Sequence, residues 1–223
     1  MPTLPFTDRF EAGRQLAAEL AGHSLPANTL ALAVARGGVP VGAALAKALG
    51  IPLDVLIVRK VDMPDQKEVS MGAIAAGGEE VLDREFIETL QIPVEEVDVA
   101  VKNERAELLR RERLYREDRP PLALRGRTVV LVDDGIATGS TMLAATRYVR
   151  SRMPAMLLIA VPVTSVHGCR RLHGEADGHV FVAVPEPFIS VGAWYQHFPL
   201  VGDEEVSRLL REHWATETQP VKP

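Results

Sequence analysis

The chain has 223 residues, 47% of them apolar and 25% charged, so it can bury a sizeable core and reads as an ordinary globular protein. Its formal net charge of -5 argues against nucleic acid as the main partner, because proteins that bind a polyanion carry a basic excess. A single cysteine, Cys169, excludes an internal disulfide and fits a reducing cytoplasm; the early charges Asp8, Arg9 and Glu11 leave no visible signal peptide, and the longest apolar stretch, 155–163, contains Pro162 and is too short for a membrane span.

In chain order, residues 7–21 predict an amphipathic helix with Phe10, Leu16, Ala17 and Leu20 on one face and Gly22 at its end. Residues 29–34 predict a strand, Ala35-Arg36-Gly37-Gly38 a turn, and 39–49 a short helix stopped by Gly50. The next strand, 53–58, closes on Arg59-Lys60. Residues 61–78 are rich in glycine and charge and predict a flexible loop, with short strand pieces at 73–76 and 81–82. Asp83 caps a helix through residue 90, and Pro93 opens a long one over 94–117. There Arg110, Arg111, Arg113 and Arg116 interleave with Glu107, Glu112 and Glu117, the pattern of a solvated face laced with ion pairs. Arg119-Pro120-Pro121 closes that segment.

The run 128–132 has no polar alternation and predicts a central strand buried on both faces. A helix follows through Met142, Ala145, Tyr148 and Val149. Then come a strand at 156–161, a helix at 166–173, a strand at 179–184 and a terminal helix at 203–214. Strand and helix in repetition mean an α/β fold, a parallel sheet flanked by helices. Residues 1–60 and 120–184 make that core, and 61–119 form a flexible loop and helical insertion. Residues 185–216 make a hood and the terminal helix, and 217–223 are a frayed tail.

The stretch between the 128–132 strand and its helix carries the most chemistry. Asp133 and Asp134 stand together at the strand's carboxyl end, where ligands of open α/β sheets collect. Across Ala137, Thr138, Gly139, Ser140 and Thr141 no large side chain shields the backbone. Gly139 can take conformations closed to other residues, and Ser140 or Thr141 can cap the helix. Bare amides at a helix start favour a dianionic phosphate, and the three hydroxyls add donors. Paired carboxylates suit hydroxyls and a metal, so the whole stretch suits a phosphorylated sugar. A P-loop would place Lys after its last Gly, and none is there.

The turn at 35–38 falls at the same sheet edge. Gly37 and Gly38 permit tight curvature with amides aimed inward, and Arg36 offers a planar fork for phosphate oxygens. Phe188, Trp194 and Tyr195 gather after the last strand; they either stack on a flat base or pack as core or interface residues. His167, His173, His179 and His197 show no metal-ligand spacing.

The segment 128–141 resembles the phosphoribosyl-diphosphate (PRPP) motif of type I phosphoribosyltransferases. The resemblance implies that Asp133 and Asp134 face the ribose hydroxyls and that Ala137, Thr138, Gly139, Ser140 and Thr141 hold the 5′-phosphate. Arg36-Gly37-Gly38 is similar to the family's pyrophosphate loop, which often carries a non-proline cis peptide. Lys60 and Arg59 would meet the diphosphate, and a loop around Pro64, Glu68, Gly72 and Ala73 would close over the reaction and exclude water. More loosely, 184–195 resembles the hood of 6-oxopurine enzymes, with Phe188 over the base and backbone groups of Ile189 reading its edge, near Trp194 and Tyr195. Two departures count against a 6-oxopurine: no acid matches between Gly192 and Tyr195, and the loop's usual carboxylate is Ala137.

The resemblance implies that a nitrogen nucleophile, a nucleobase, displaces pyrophosphate from C1′ of PRPP. Mg2+ would bridge diphosphate and ribose hydroxyls, and Asp133 and Asp134 would reach it through those hydroxyls or water. The same acids and Lys60 form the implied catalytic set, stabilising an oxocarbenium-like sugar and the leaving group. No general base is named, since Ala137 cannot serve. The alternative is a PRPP-sensing binding protein without turnover. Arg-Gly-Gly, Arg-Lys, Gly-Ala-Ile-Ala, the Arg/Glu-rich helix, the Asp-Asp loop and Pro-Glu-Pro-Phe are shared with bacterial members of the superfamily that have no settled substrate. Nucleotide salvage in the cytoplasm is the implied setting, with PRPP and a small acceptor as partners, no membrane or nucleic acid, and a homo-oligomer compatible with the sequence.

Overall fold

A computed structural model describes residues 4–63, 66–76, 80–117, 119–120 and 123–217. Pro64, Gly78, Pro121 and the tail beyond residue 217, each part of an expected element, lie outside the described residues, as does the Glu68 side chain. The chain runs α1 (Arg9–Ala21), β1 (Thr29–Ala35), α2 (Gly38–Leu49), β2 (Leu53–Met63), β3 (Gln66–Ala75), β4 (Glu80–Leu82), α3 (Arg84–Thr89) and α4 (Val94–Arg116). It continues β5 (Thr128–Val132), α5 (Ser140–Ser151), β6 (Met156–Val163), α6 (Val166–Arg171), β7 (Gly178–Ala183), a 3-10 turn (Gly192–Trp194) and α7 (Asp203–Glu217).

One sheet holds these strands in the order β4-β3-β2-β1-β5-β6-β7. The five from β2 to β7 pair in parallel, which brings the loops after β1, β5, β6 and β7 to one carboxyl edge. Side chains alternate across this sheet and build two cores. Ala31, Ala33, Val55, Ile57, Val130 and Val132 face α1, α2, α4 and α7. Leu30, Leu32, Val34, Leu56, Val58, Val129 and Leu131 face α5 and Leu172 after α6. The apolar, β-branched run of β5 is buried at every position because both faces are covered. Among the described residues no helix is long and apolar enough to cross a membrane.

Three local expectations are corrected. The expected loop at 61–78 is largely strand: β2 runs on to Met63, and β3 and β4 join it antiparallel. The parallel pairing of β2 stops at Ile57 opposite Ala35, which leaves its continuation with open ladder groups that β3 satisfies from Val58↔Ala75 onward. Met71, Ala73, Ile74 and Ala75 are buried and hold β3 down. Arg116 is not on the solvated face of α4. It is buried, with its Nη1 2.5 Å from Asp54 Oδ1 on β2. Finally, α5 is capped by Gly139 at φ 82°, and neither Ser140 nor Thr141 gives a side-chain cap.

Candidate functional site

A cavity of about 140 Å³ opens at the carboxyl edge of β5, walled by residues 135–142, Asp133, Lys60 and Val191. The carbonyls of its loop are engaged. Ser165 N–H donates to Ile136 O (2.9 Å), Ser165 Oγ to Ala137 O (2.5 Å) and Leu143 N–H to Gly139 O (2.8 Å). The amides of Ala137, Thr138, Gly139, Ser140 and Thr141 donate to no described residue. A helix start with unpartnered N–H groups is an anion seat, and here it faces open space. The left-handed backbone at Gly139 makes the turn into α5 and keeps large side chains off those amides.

The two acids part company. Asp133 lies on the α5 side and lines the cavity, its Oδ1 accepting from the Asp134 amide at 2.8 Å. Burial pushes its carboxyl well above the usual carboxylate range, and the neighbouring Asp134 charge adds to that. Asp134 turns toward α1, where Arg9 Nε donates to its Oδ2 at 2.8 Å. This pair is deeply buried, with side-chain exposures of 9% for Arg9 and 15% for Asp134. Burial raises the Asp134 carboxyl too, and Arg9 opposes the shift. Arg9 also donates to Pro199 O (2.7 Å) and stacks on the Phe198 ring at 3.7 Å. It thereby ties the first helix, the acidic motif and the hood. Arg9 went unrecognised in the sequence because its meaning depends on a partner 125 positions away; a buried arginine in an amphipathic helix is the only local sign.

The same alternation divides the basic pair on β2. Lys60 follows Leu56 and Val58 onto the α5 face and reaches the cavity. Arg59 follows Val55 and Ile57 onto the opposite face, where its Nε donates to Glu104 Oε2 of α4 at 2.7 Å. Arg36 Nη1 lies 3.6 Å from Asp203 Oδ1 at the start of α7, an acid shared with Arg110 at 2.8 Å. Neither Arg36 nor Arg59 is among the residues walling the cavity. Gly37 and Gly38 instead press on the acids: a Cβ on Gly37 would stand 2.1 Å from Asp134 Oδ2, and one on Gly38 2.7 Å from Val132 O. The Ala35–Arg36 peptide is cis.

In the hood, Tyr195 is buried and donates its hydroxyl to Asp134 O at 2.6 Å. Its ring packs 5.3 Å from Phe6 and 4.9 Å from Phe198. Phe188 and Trp194 pack on the same cluster, half-buried, while Ile189 is 84% exposed. Of the hood, Val191 is the residue that reaches the cavity, over Gly135. Among the described residues no three His, Cys, Asp or Glu side chains gather to hold a metal ion.

A parallel sheet here places a bare-amide loop and an acid together at its carboxyl edge, the edge where open α/β sheets bind ligands. Residues 7–181 match the family described as phosphoribosyl transferase domain, and the chain belongs to it. Two Mycobacterium tuberculosis proteins, "Putative phosphoribosyl transferase Rv0571c" (strain ATCC 25618 / H37Rv) and "Putative phosphoribosyl transferase MT0597" (strain CDC 1551 / Oshkosh), are each 40% identical over 205 residues. That alignment covers 92% of this chain and 46% of theirs, so the chain spans about half the length of the curated relatives it matches. The crystal structure of TT1426 from Thermus thermophilus overlays with a TM-score of 0.79 at 40% identity, covering 93% of this chain and 98% of that one.

Proposed function

We propose that the chain transfers the phosphoribosyl group of PRPP to a nitrogen nucleophile, a nucleobase, with release of pyrophosphate. The observation that carries this reading is the convergence of unpartnered amides 137–141, the Asp133 carboxylate and the Lys60 ammonium on one cavity. The amides and the hydroxyls of Thr138, Ser140 and Thr141 receive the 5′-phosphate. Asp133 accepts from the ribose hydroxyls and favours positive charge on the sugar as the C1′–oxygen bond breaks. Lys60 faces the diphosphate, and Asp134, neutralised by Arg9, positions Asp133 through the backbone.

A magnesium ion fits this donor set as one held mainly by the ligand's own oxygens, since the ion keeps waters and phosphate oxygens and asks for only one or two carboxylates. Asp133 is the carboxylate at the cavity wall. Bound with PRPP, the ion would neutralise charge on the departing diphosphate. The setting is nucleotide salvage in the cytoplasm.

The test is pyrophosphate release from PRPP and magnesium across a panel of purine and pyrimidine bases. Turnover with one base supports transfer and names the acceptor. Tight PRPP binding with no turnover would favour a sensor. Absence of PRPP binding would overturn both.

A further inference from the structure

A second cavity, of about 260 Å³, lies across Ser140 from the first. Three arginines from three elements line it: Arg84 of α3, Arg147 of α5 and Arg171 of α6. Arg147 has only a distant contact with Glu175, at 3.8 Å, and Arg84 and Arg171 make no ion pair among the described residues. The one acid in the wall, Asp83, already accepts from the Phe86 amide at 3.1 Å as the cap of α3. Three arginines lining one cavity, with no close ion pair among the described residues, give it a positive charge that an anion can neutralise. Elsewhere this chain pairs its arginines closely, as Arg9, Arg59, Arg110 and Arg150 show at 2.7 to 2.8 Å.

We propose that this cavity is a second oxyanion site that takes a diphosphate group. Three guanidiniums match the charge of a diphosphate better than that of a phosphomonoester, which carries about −1.5 to −2 near neutral pH. A diphosphate fits this volume, and the remainder of a nucleotide would project outward. Ser140 faces both cavities, and the Arg171 side chain packs on the phosphate turn, its Cδ 3.5 Å from where a Cβ on Gly139 would be. Occupancy therefore holds the β3–β4 edge, α5 and α6 together beside the PRPP loop, and by linkage alters PRPP affinity.

Calorimetric titration of inorganic pyrophosphate into the Lys60→Ala protein tests this without requiring turnover, because Lys60→Ala weakens anion binding in the first cavity. The site should persist there and weaken about tenfold for each guanidinium removed in Arg147→Gln and Arg147→Gln/Arg171→Gln, with unchanged thermal melting. ADP losing affinity in step would identify a nucleotide as the source, and pyrophosphate alone doing so would identify the free anion; either supports the site. An isotherm indifferent to both arginines would overturn it. Inorganic phosphate binding as tightly as pyrophosphate would overturn the diphosphate assignment.

Discussion

The two faces of the sheet meet the carboxyl edge with opposite electrostatics. On the α1/α4/α7 face the site-edge charges are matched internally: Asp134 with Arg9, Arg59 with Glu104, and Arg36 beside Asp203. On the α5 face and among the described residues, the Asp133 carboxyl accepts from a neighbouring amide, neither Asp133 nor Lys60 makes a close ion pair, and five amides are unpartnered. Each adjacent charged pair, 59–60 and 133–134, contributes one member to each face because successive side chains alternate across a sheet. Adjacent charges in a sequence are therefore not one structural unit: one member is paired within the scaffold and the other lines the cavity.

The sharpest way to break this contrast is Arg9→Ala. It leaves Asp134 buried without its counter-charge and should cost about 3–5 kcal/mol of stability by urea denaturation. A loss under about 1 kcal/mol would mean the pair braces nothing. Next comes Lys60→Ala against Arg59→Ala. The first should weaken PRPP binding about 10–100-fold with little change in stability, as expected for a lost charge-assisted contact. The second should leave PRPP affinity unchanged and cost at most about 1 kcal/mol, because its pair with Glu104 is partly solvated. Equal effects on binding would erase the distinction between the faces.

Gly37→Ala forces a methyl into the Asp134 carboxylate and should cost about 1–3 kcal/mol through overpacking. Gly139→Ala meets nothing closer than 3.5 Å, so its cost should be the backbone penalty alone, about 1–2 kcal/mol. The smallest expected effect is that of pH on Asp133→Asn. Burial holds the Asp133 carboxyl above its ordinary 3.8, so its contribution to stability is fully present below that value and is lost as pH rises through the folded-state value. The Asn variant escapes that loss. It should melt higher than wild type at pH 8, and the gap should close toward pH 4 while PRPP binding falls. A variant less stable at pH 8 would contradict the burial account.

The parallel core was legible because β5 and its neighbours are unbroken apolar runs spaced by helices, a pattern few other folds permit. The turn from β5 into α5 was legible because its signals are local: small residues, a glycine and a helix start. What escaped was set by distance in the chain. β3 carries glycine and charge, and its strand state comes from the open edge of β2. Arg9, Arg116 and Arg36 take their meaning from Asp134, Asp54 and Asp203, each remote in sequence. Tyr195 was placed near a base by resemblance, yet its hydroxyl is taken by the Asp134 carbonyl.

Amide hydrogen exchange with and without PRPP and magnesium bears most directly on the central claim. The unpartnered amides of 137–141 should become strongly protected when the ligand binds, with little change at Asp134, whose amide already donates to Asp133 Oδ1, and at Arg59 within the β2–β3 pairing. Saturating PRPP that leaves residues 137–141 exchanging as before would contradict the account.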